Sequence, residues 1–502
     1  MKNKWNERQN LYRARLKKEP MLLHASDELY EQIEDENTCR KMVSLYVMAP
    51  TMLSYVSWVL DEAMKKGTKR LYFLARDGYS MYSVARIICE KLNLPIECRY
   101  LHCSRFAWRS AEFHLMGEKC LDYVCLGGID VTLRKVMHRA GLDECETIRA
   151  VEELRERVMK DNALLQKTDA DIFTKLFEEL TDTERMDTPM SYRQVKELRP
   201  VLAQCEYFME RMKTHAAQAY PNVCGYLTQE GFLDGTPWAL VDSGWTGSMQ
   251  KSLMHILKSM GYEGGSAGYY FGMYEMPAGE EETMSASEYY TWYFAPHDQI
   301  RRKVYFANSL FECIFSSPEG MTVAYKRSGT PKFGESEMED PKFINQKDKY
   351  IPVLEKEESP NAEQIVKSTQ YLETYTEQII HKNSIANLGE MRYNGKVVFS
   401  LLRIFMGHPT LEEAEEYGKY IFCDDVIGEE TQVAAAPLSE EEIKENYFCH
   451  KAFAMASKKG KPVRESAWLE GSMVRRRGEA KAKVWHSAFY KYILYLRKNL
   501  SR

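Results

Sequence analysis

The run Leu71-Tyr-Phe-Leu-Ala-Arg-Asp-Gly-Tyr79 constrains the fold more than any other stretch of this chain. Leu71 to Leu74 is apolar, with the length and β-rich composition of a buried strand. It breaks at once into Arg76, Asp77 and Gly78. The apolar residues then fall three or four apart, at Met81, Val84, Ala85, Ile88 and Leu92, which is one face of a helix. Strand, charged tight turn and helix is the unit that sets a loop at the carboxyl end of a strand, where ligands sit in open α/β sheets. A second apolar run, Ile96 to His102, follows Asn93-Leu94-Pro95 and predicts a parallel β–α–β pair with a right-handed crossover. Ser104 and Arg105 stand at its exit.

A stretch of the same build recurs far downstream, in Trp238-Ala-Leu-Val-Asp-Ser-Gly-Trp-Thr-Gly-Ser248. It predicts a strand over Trp238 to Val241, a loop from Asp242 to Gly247, and a helix from Ser248 with Leu253, Ile256, Leu257 and Met260 inward and Gly261 as its C-cap. Further strands are expected at Ser266 to Phe271, where Gly268 implies close backbone approach, and at Tyr289 to Phe294. Phe306 to Phe315 reads as a short apolar helix or strand. The expected fold is α/β, a parallel Rossmann-like sheet, with a phosphoribosyltransferase-like arrangement as one form of it, interrupted by a helical insertion and followed by a helical C-terminal region.

The segments divide accordingly. Residues 1–68 read as N-terminal helices on the sheet, one of them ended or kinked by Pro50. Residues 69–105 and 236–328 read as two halves of the α/β domain, and 106–235 as a helical insertion or cap in which Gly127-Gly128-Ile129-Asp130 opens a helix. Residues 329–362 are expected to be a linker or long loop. Residues 363–502 read as helices ending in a basic, aromatic-rich tail. The two strand-end loops are expected to meet.

Composition limits the classes of function. With 44% hydrophobic and 28% charged residues over 502 positions, the chain reads as globular, with roughly two to four domains. A net charge of −5 gives no reason to expect bulk binding to nucleic acid or anionic lipid; the basic tail is a weak signal for nucleic acid or a docking partner. The 12 Cys are scattered without a CxxC, so neither a disulfide framework nor a zinc site is expected, and Cys98 and Cys103 read as reduced thiols. The first twenty residues lack an apolar signal core, and no run reaches the ~18 consecutive apolar residues of a membrane span. The expected location is cytoplasmic.

The loops carry the chemistry. A carboxylate at the end of a buried strand, followed by Gly244, Thr246, Gly247, Ser248 and a helix, can cradle phosphate on backbone N–H groups at a helix N-terminus. Asp242 could then accept from a hydroxyl, bind Mg²⁺ together with substrate phosphates, or act as base or nucleophile; equally, Asp242 and Ser248 could simply cap turn and helix. Arg76 and Asp77 could be an ion pair fixing the turn, or a phosphate grip and a second catalytic carboxylate. Arg105 and Arg109 extend that grip, and Gly78 would let the backbone approach the ligand. His102 reads as a satisfied strand residue.

Three phosphate loops share parts of the second motif. Asp242, Thr246, Gly247 and Ser248 resemble the loop of phosphoribosyltransferases, with Ser243 where a second acid stands there. Asp242 and Thr246 fit the Asp-x-Asp-x-Thr of haloacid-dehalogenase phosphatases, with Gly244 replacing the second Asp. Asp242, Gly244, Thr246 and Gly247 match the Asp-x-Gly-x-Thr-Gly of actin-like sugar kinases, where a strand rather than a helix follows. Taken with Phe73 to Tyr79, the Ala49 to Trp58 helix, Val241 to Gln250 and Phe311 to Gly320, the chain over about residues 40 to 330 resembles a group of bacterial proteins catalogued as predicted haloacid-dehalogenase-superfamily hydrolases and associated with surface-polysaccharide genes. The resemblance is to the region after their phosphatase domain, and no Asp-x-Asp-x-Thr occurs in this chain. It implies a hydrolase or transferase acting on a phosphorylated sugar or nucleotide, in surface-polysaccharide metabolism. The alternative is a binding or scaffold module that keeps the fold without the catalysis. The sequence gives no indication of oligomeric state.

Overall fold

The computed structural model describes residues 2–126, 131–160, 186–277, 287–328, 349–391, 393–422, 432–456, 464 and 466–500. Five parallel strands form its centre: β1 (Arg70–Leu74), β2 (Glu97–Leu101), β3 (Trp238–Trp245), β4 (Ser266–Met273) and β5 (Ser287–Phe294), in the order β2-β1-β3-β4-β5. β1 pairs with β2 from Arg70↔Glu97 to Leu74↔Leu101, and with β3 from Arg70↔Trp238 to Phe73↔Val241. Every residue of β1 is buried, because a central parallel strand has helices over both faces and reads as a continuous apolar run. The expected α/β class with a parallel sheet is what the chain forms.

Alternation along the strands sorts the side chains into two cores. Leu71, Phe73, Ala239, Val241, Tyr269 and Phe271 face helices α1 (Ala49–Lys65) and α2 (Gly78–Leu92). Tyr72, Leu74, Leu101 and Leu240 face α3 (Arg105–Met116), α4 (Glu206–Gln229) and α5 (Ser248–Ser259). Between α3 and α4 the described residues are helical, around a smaller core of their own that includes Leu121, Val136, Leu154 and Phe208. Gly127 to Asp130 lie outside the described residues; the helix Leu133–Arg139 beyond them is capped by Thr132, whose hydroxyl accepts from the Lys135 N–H.

Three local expectations change. Pro50 neither ends nor breaks its helix, which runs from Thr38 to Lys65. A π turn over Ser44–Met48 precedes it, with the Ala49 N–H reaching back to the Ser44 carbonyl, and this wider turn accommodates the proline ring in the first turn of α1. This helix is long and apolar enough to cross a membrane, with mean hydropathy 1.4, but 94% of its apolar window is buried in the fold. Second, Asp242 to Trp245 are not loop: β3 continues through them, pairing Asp242↔Tyr270, Gly244↔Gly272 and Trp245↔Met273 with β4. Third, residues 350–354, inside the stretch expected to be loop, form β7 (Tyr350–Leu354), antiparallel to β6 (Thr322–Arg327). Phe306 to Phe315 resolves as helix, α6 (Asn308–Phe315).

The first core continues through α7 (Ala362–Lys382) to Trp468, Met473 and Val474, and the last described helix is α8 (Trp485–Leu500). It also takes in the chain's first helix, Lys2–Leu16. There the Arg8 guanidinium donates to the carboxylate of fully buried Glu413, which also accepts from the Tyr12 hydroxyl at 2.7 Å and the Thr410 N–H at 3.0 Å. None of the described cysteines is in a disulfide.

Candidate functional site

The sheet order reverses between β1 and β3, with β2 on one side and β4 on the other. Connections therefore leave in opposite directions and a crevice opens at the carboxyl ends of these two strands. The pairing of β1 with β3 stops at Phe73↔Val241, whereas β3 runs on beside β4 to Trp245. Asp242 and its successors thus have β4 on one flank and open space on the other. That space is a cavity of about 370 Å³, lined by both turns, by Cys103 to Phe106 after β2, by Glu312 of α6, and by Glu355 to Asn361 beyond the β6–β7 hairpin. It is large enough for a small ligand.

The turn after β1 is as short as it can be. α2 starts at Gly78, where a Cβ would come within 2.8 Å of the Phe73 carbonyl carbon, so glycine is required by packing under the strand. Asp77 occupies the N-cap position without capping; its carboxylate instead accepts the Ser243 hydroxyl, tying the two turns together. Burial raises the Asp77 carboxyl above the usual range, against the Ser243 hydrogen bond and the charges of Arg76 and Arg105.

Asp242 is held from behind. Its backbone carbonyl accepts the Tyr55 hydroxyl of α1 at 3.0 Å, a hydroxyl that also reaches the Tyr269 carbonyl at 2.8 Å. Burial, then the charge of Asp77, pushes the Asp242 carboxyl up to about 8. Gly244 at φ +107° brings the backbone within reach of the Gly272 carbonyl, which a Cβ would approach to 2.6 Å. Trp245 takes φ +63°, an outlying conformation for a bulky residue, and is held by Phe294, Phe306 and Phe311 and by an indole N–H donated to Glu312. Glu312 is the third carboxyl. Burial, then Asp77, raises it to about 8.

All three carboxyls are raised by burial, and the charge of Asp77 adds to the rise of Asp242 and Glu312 to about 8. Facing them are Arg76 and Arg105, whose side chains have no hydrogen-bond or ion-pair partner among the described residues. Arg109 stands behind Ser248, its guanidinium 3.5 Å from the Ser248 hydroxyl and 4.5 Å over the Tyr123 ring. Burial, then Arg105, lowers it to about 10. Glu355, Lys356 and Glu358 complete the charged lining of the cavity.

Of the residues expected at the site, Arg76, Asp77, Arg105, Asp242, Gly244, Thr246 and Ser248 line this cavity. Gly78 and Gly247 do not. Gly247, at φ +60°, packs where a Cβ would meet the Tyr289 ring at 2.8 Å. Both glycines are explained by packing rather than by approach to a ligand. Arg109 and His102 are also outside the lining; His102 sits 3.7 Å from Glu319 and against Tyr100. Glu312 was not foreseen, although an acid in the middle of Leu310-Phe-Glu-Cys-Ile-Phe315 is a signal, since a buried carboxyl needs a reason.

Among the described residues no group of three or more His, Cys, Asp and Glu side chains is placed to hold a metal ion. Divalent-ion binding would rest on Asp242 or Asp77 together with oxygens brought by a ligand, the arrangement common for Mg²⁺ with phosphates. The chain matches no protein-family model, and no curated protein matches it.

Proposed function

We propose that this cleft binds a phosphorylated small molecule, a sugar phosphate or nucleotide, and acts on it by acid–base chemistry. The observation that carries the reading is the pair of guanidiniums without a hydrogen-bond or ion-pair partner among the described residues, Arg76 and Arg105, lining a cavity that also holds Lys356 and the carboxyls Asp77, Asp242, Glu312, Glu355 and Glu358, with Asp242 and Glu312 raised to about 8. An anion supplies the missing partner for both arginines, and planar guanidinium groups suit phosphate oxygens. The N-terminus of α5, with Thr246 and Ser248 beside it, adds N–H donors and partial positive charge on the same side.

Within that complex Asp242 is the proton donor and Asp77 the acceptor. A carboxyl raised to about 8 keeps a proton to give, and a second carboxylate tied to the neighbouring turn completes the acid and base pair of hydrolysis or group transfer. Ser243 holds Asp77 in place through its hydroxyl. Mg²⁺, where it accompanies the phosphates, would neutralise charge and compete with the proton on Asp242. The resemblance to proteins of surface-polysaccharide gene groups directs the first screen to glycan precursors in the cytoplasm.

Thermal shift against sugar phosphates, nucleotides and phosphoribosyl pyrophosphate, with and without Mg²⁺, tests the reading. A shift seen in wild type and lost in Arg76→Ala with Arg105→Ala supports it. If no phosphorylated compound shifts the melting point at millimolar concentration, the reading fails.

A further inference from the structure

α8 lies on the molecule by one face only. Ser487 and Lys491 bond the buried Glu470 carboxylate, each at 2.8 Å, and Tyr495 stacks on Tyr274 at 5.7 Å between centroids. The other face is apolar and uncovered. Trp485, Phe489, Tyr492, Ile493 and Leu496 are between 36% and 57% exposed, at the i, i+4, i+7, i+8, i+11 spacing of a single helical stripe. The neighbouring helix Phe448–Ala456, whose Phe448 meets Phe489, adds Phe453 at 76%. Lone exposed apolar residues are ordinary, but a continuous stripe of this kind marks an interaction surface.

Charge selects the occupant. From residue 457 onward the sequence carries thirteen Lys and Arg against three Glu, in a chain whose net charge is −5. The remainder is therefore strongly acidic and the positive charge is segregated at this end. Lys481 and Lys483, just before α8, and Arg497, in its last turn, are exposed and have no ion-pair partner among the described residues. A second copy would bring like charges together. Nucleic acid would satisfy the charges and leave Ile493 and Leu496 in water. A bilayer with anionic headgroups satisfies both, with Trp and Tyr at the depth where amphipathic rings settle. We propose that the exposed stripe of α8 is a docking surface for an anionic lipid bilayer, on which the helix lies in the interfacial plane without spanning it.

The basic cluster alone would give weak, salt-sensitive attraction, and the apolar stripe alone would not discriminate between lipids; the two together make a stable, selective anchor. The surface is formed independently of the cleft, so this proposal stands whether or not a phosphorylated ligand is found there.

The full chain should co-sediment with vesicles of phosphatidylcholine and phosphatidylglycerol, and not with phosphatidylcholine alone, at an ionic strength of ~0.15 M. Raising the salt should weaken binding about tenfold or more. Phe489→Glu with Ile493→Glu should abolish co-sedimentation, with the melting temperature lowered only slightly through the lost Phe489–Phe448 contact. Lys481→Gln, Lys483→Gln and Arg497→Gln together should weaken it and keep what remains. Wild type failing to sediment with anionic vesicles would overturn the proposal, as would equal sedimentation with neutral ones. So would a dimer in light scattering that the Phe489→Glu, Ile493→Glu variant converts to monomer, which would assign the stripe to a second copy.

Discussion

The turns after β1 and β3 follow the same plan and are built in opposite ways. After β1 the chain turns within three residues, and its glycine is fixed by contact with Phe73. After β3 the strand overshoots its neighbour by four residues before turning, and Gly247 is fixed by Tyr289 and Met273. From the motifs alone, the glycine-rich second turn looks like the chemical half and the first like its clamp. The structure divides the labour more evenly. Each turn delivers one carboxyl, Ser243 of the second holds Asp77 of the first, and both depend on Arg105 and Glu312 from elsewhere. A glycine-rich turn therefore does not by itself make a phosphate cradle; what matters is which side chains reach the space it leaves open.

That comparison can be broken at several points. The largest effect is expected at Gly78→Ala, whose new methyl would press on backbone atoms that cannot move aside. A loss of about 2–3 kcal/mol by urea denaturation is expected, about the cost of overpacking a tight core. A loss below about 0.5 kcal/mol would return Gly78 to the list of ligand-contacting residues. Next come the arginines. Arg76→Ala and Arg105→Ala should each weaken binding of a phosphorylated ligand by roughly 1.5–3 kcal/mol, read by calorimetry, and leave stability nearly unchanged because neither has a folded partner to lose.

Asp242→Asn sharpens the comparison through pH. The folded pKa of Asp242, about 8, lies above that of an unfolded Asp, so the folded state binds more protons across the interval from about 4 to 8. Stability from this group is full below that interval and is lost as pH rises through it. Asn imitates the protonated form, so the variant should be more stable than wild type at pH 8, an advantage that fades toward pH 4. Melting curves at both pH values check this, and a constant difference would show that Asp242 does not hold the proton. The smallest effect is expected at Thr246→Ala. Thr246 is exposed and its hydroxyl reaches only Ser248 at 3.4 Å, so stability should change by less than about 0.5 kcal/mol.

Much of this was legible in the chain because the signals were local. Leu71 to Leu92 switches from a strand run to helical spacing within a few residues, and the two strand-end motifs share a composition that placed them together at a sheet edge. What was not legible depended on distant partners. Nothing near Trp245 announces that β4 will carry β3 past Asp242, since that pairing depends on residues nearly thirty positions on. Glu312 looks like one acid in an apolar helix until Trp245 and Asp77 are brought to it. β7 is an apolar run, Tyr350-Ile-Pro-Val-Leu354, obscured by the polar residues around it and by Pro352, which is tolerated in a strand only at an edge. Pro50 reads as a break because the π turn that accommodates it leaves no mark in composition.

The ion pair of Arg8 with Glu413 has a consequence for how the protein is made. Its partners lie 405 residues apart, and at 5–20 residues per second a ribosome needs roughly 20–80 s between them. For that interval the opening helix has no carboxylate to neutralise Arg8 and no finished surface for Tyr12 and Leu16. The nascent chain must carry those side chains unsheltered until Glu413 and the helices around it emerge, so this helix is made long before it finds its place.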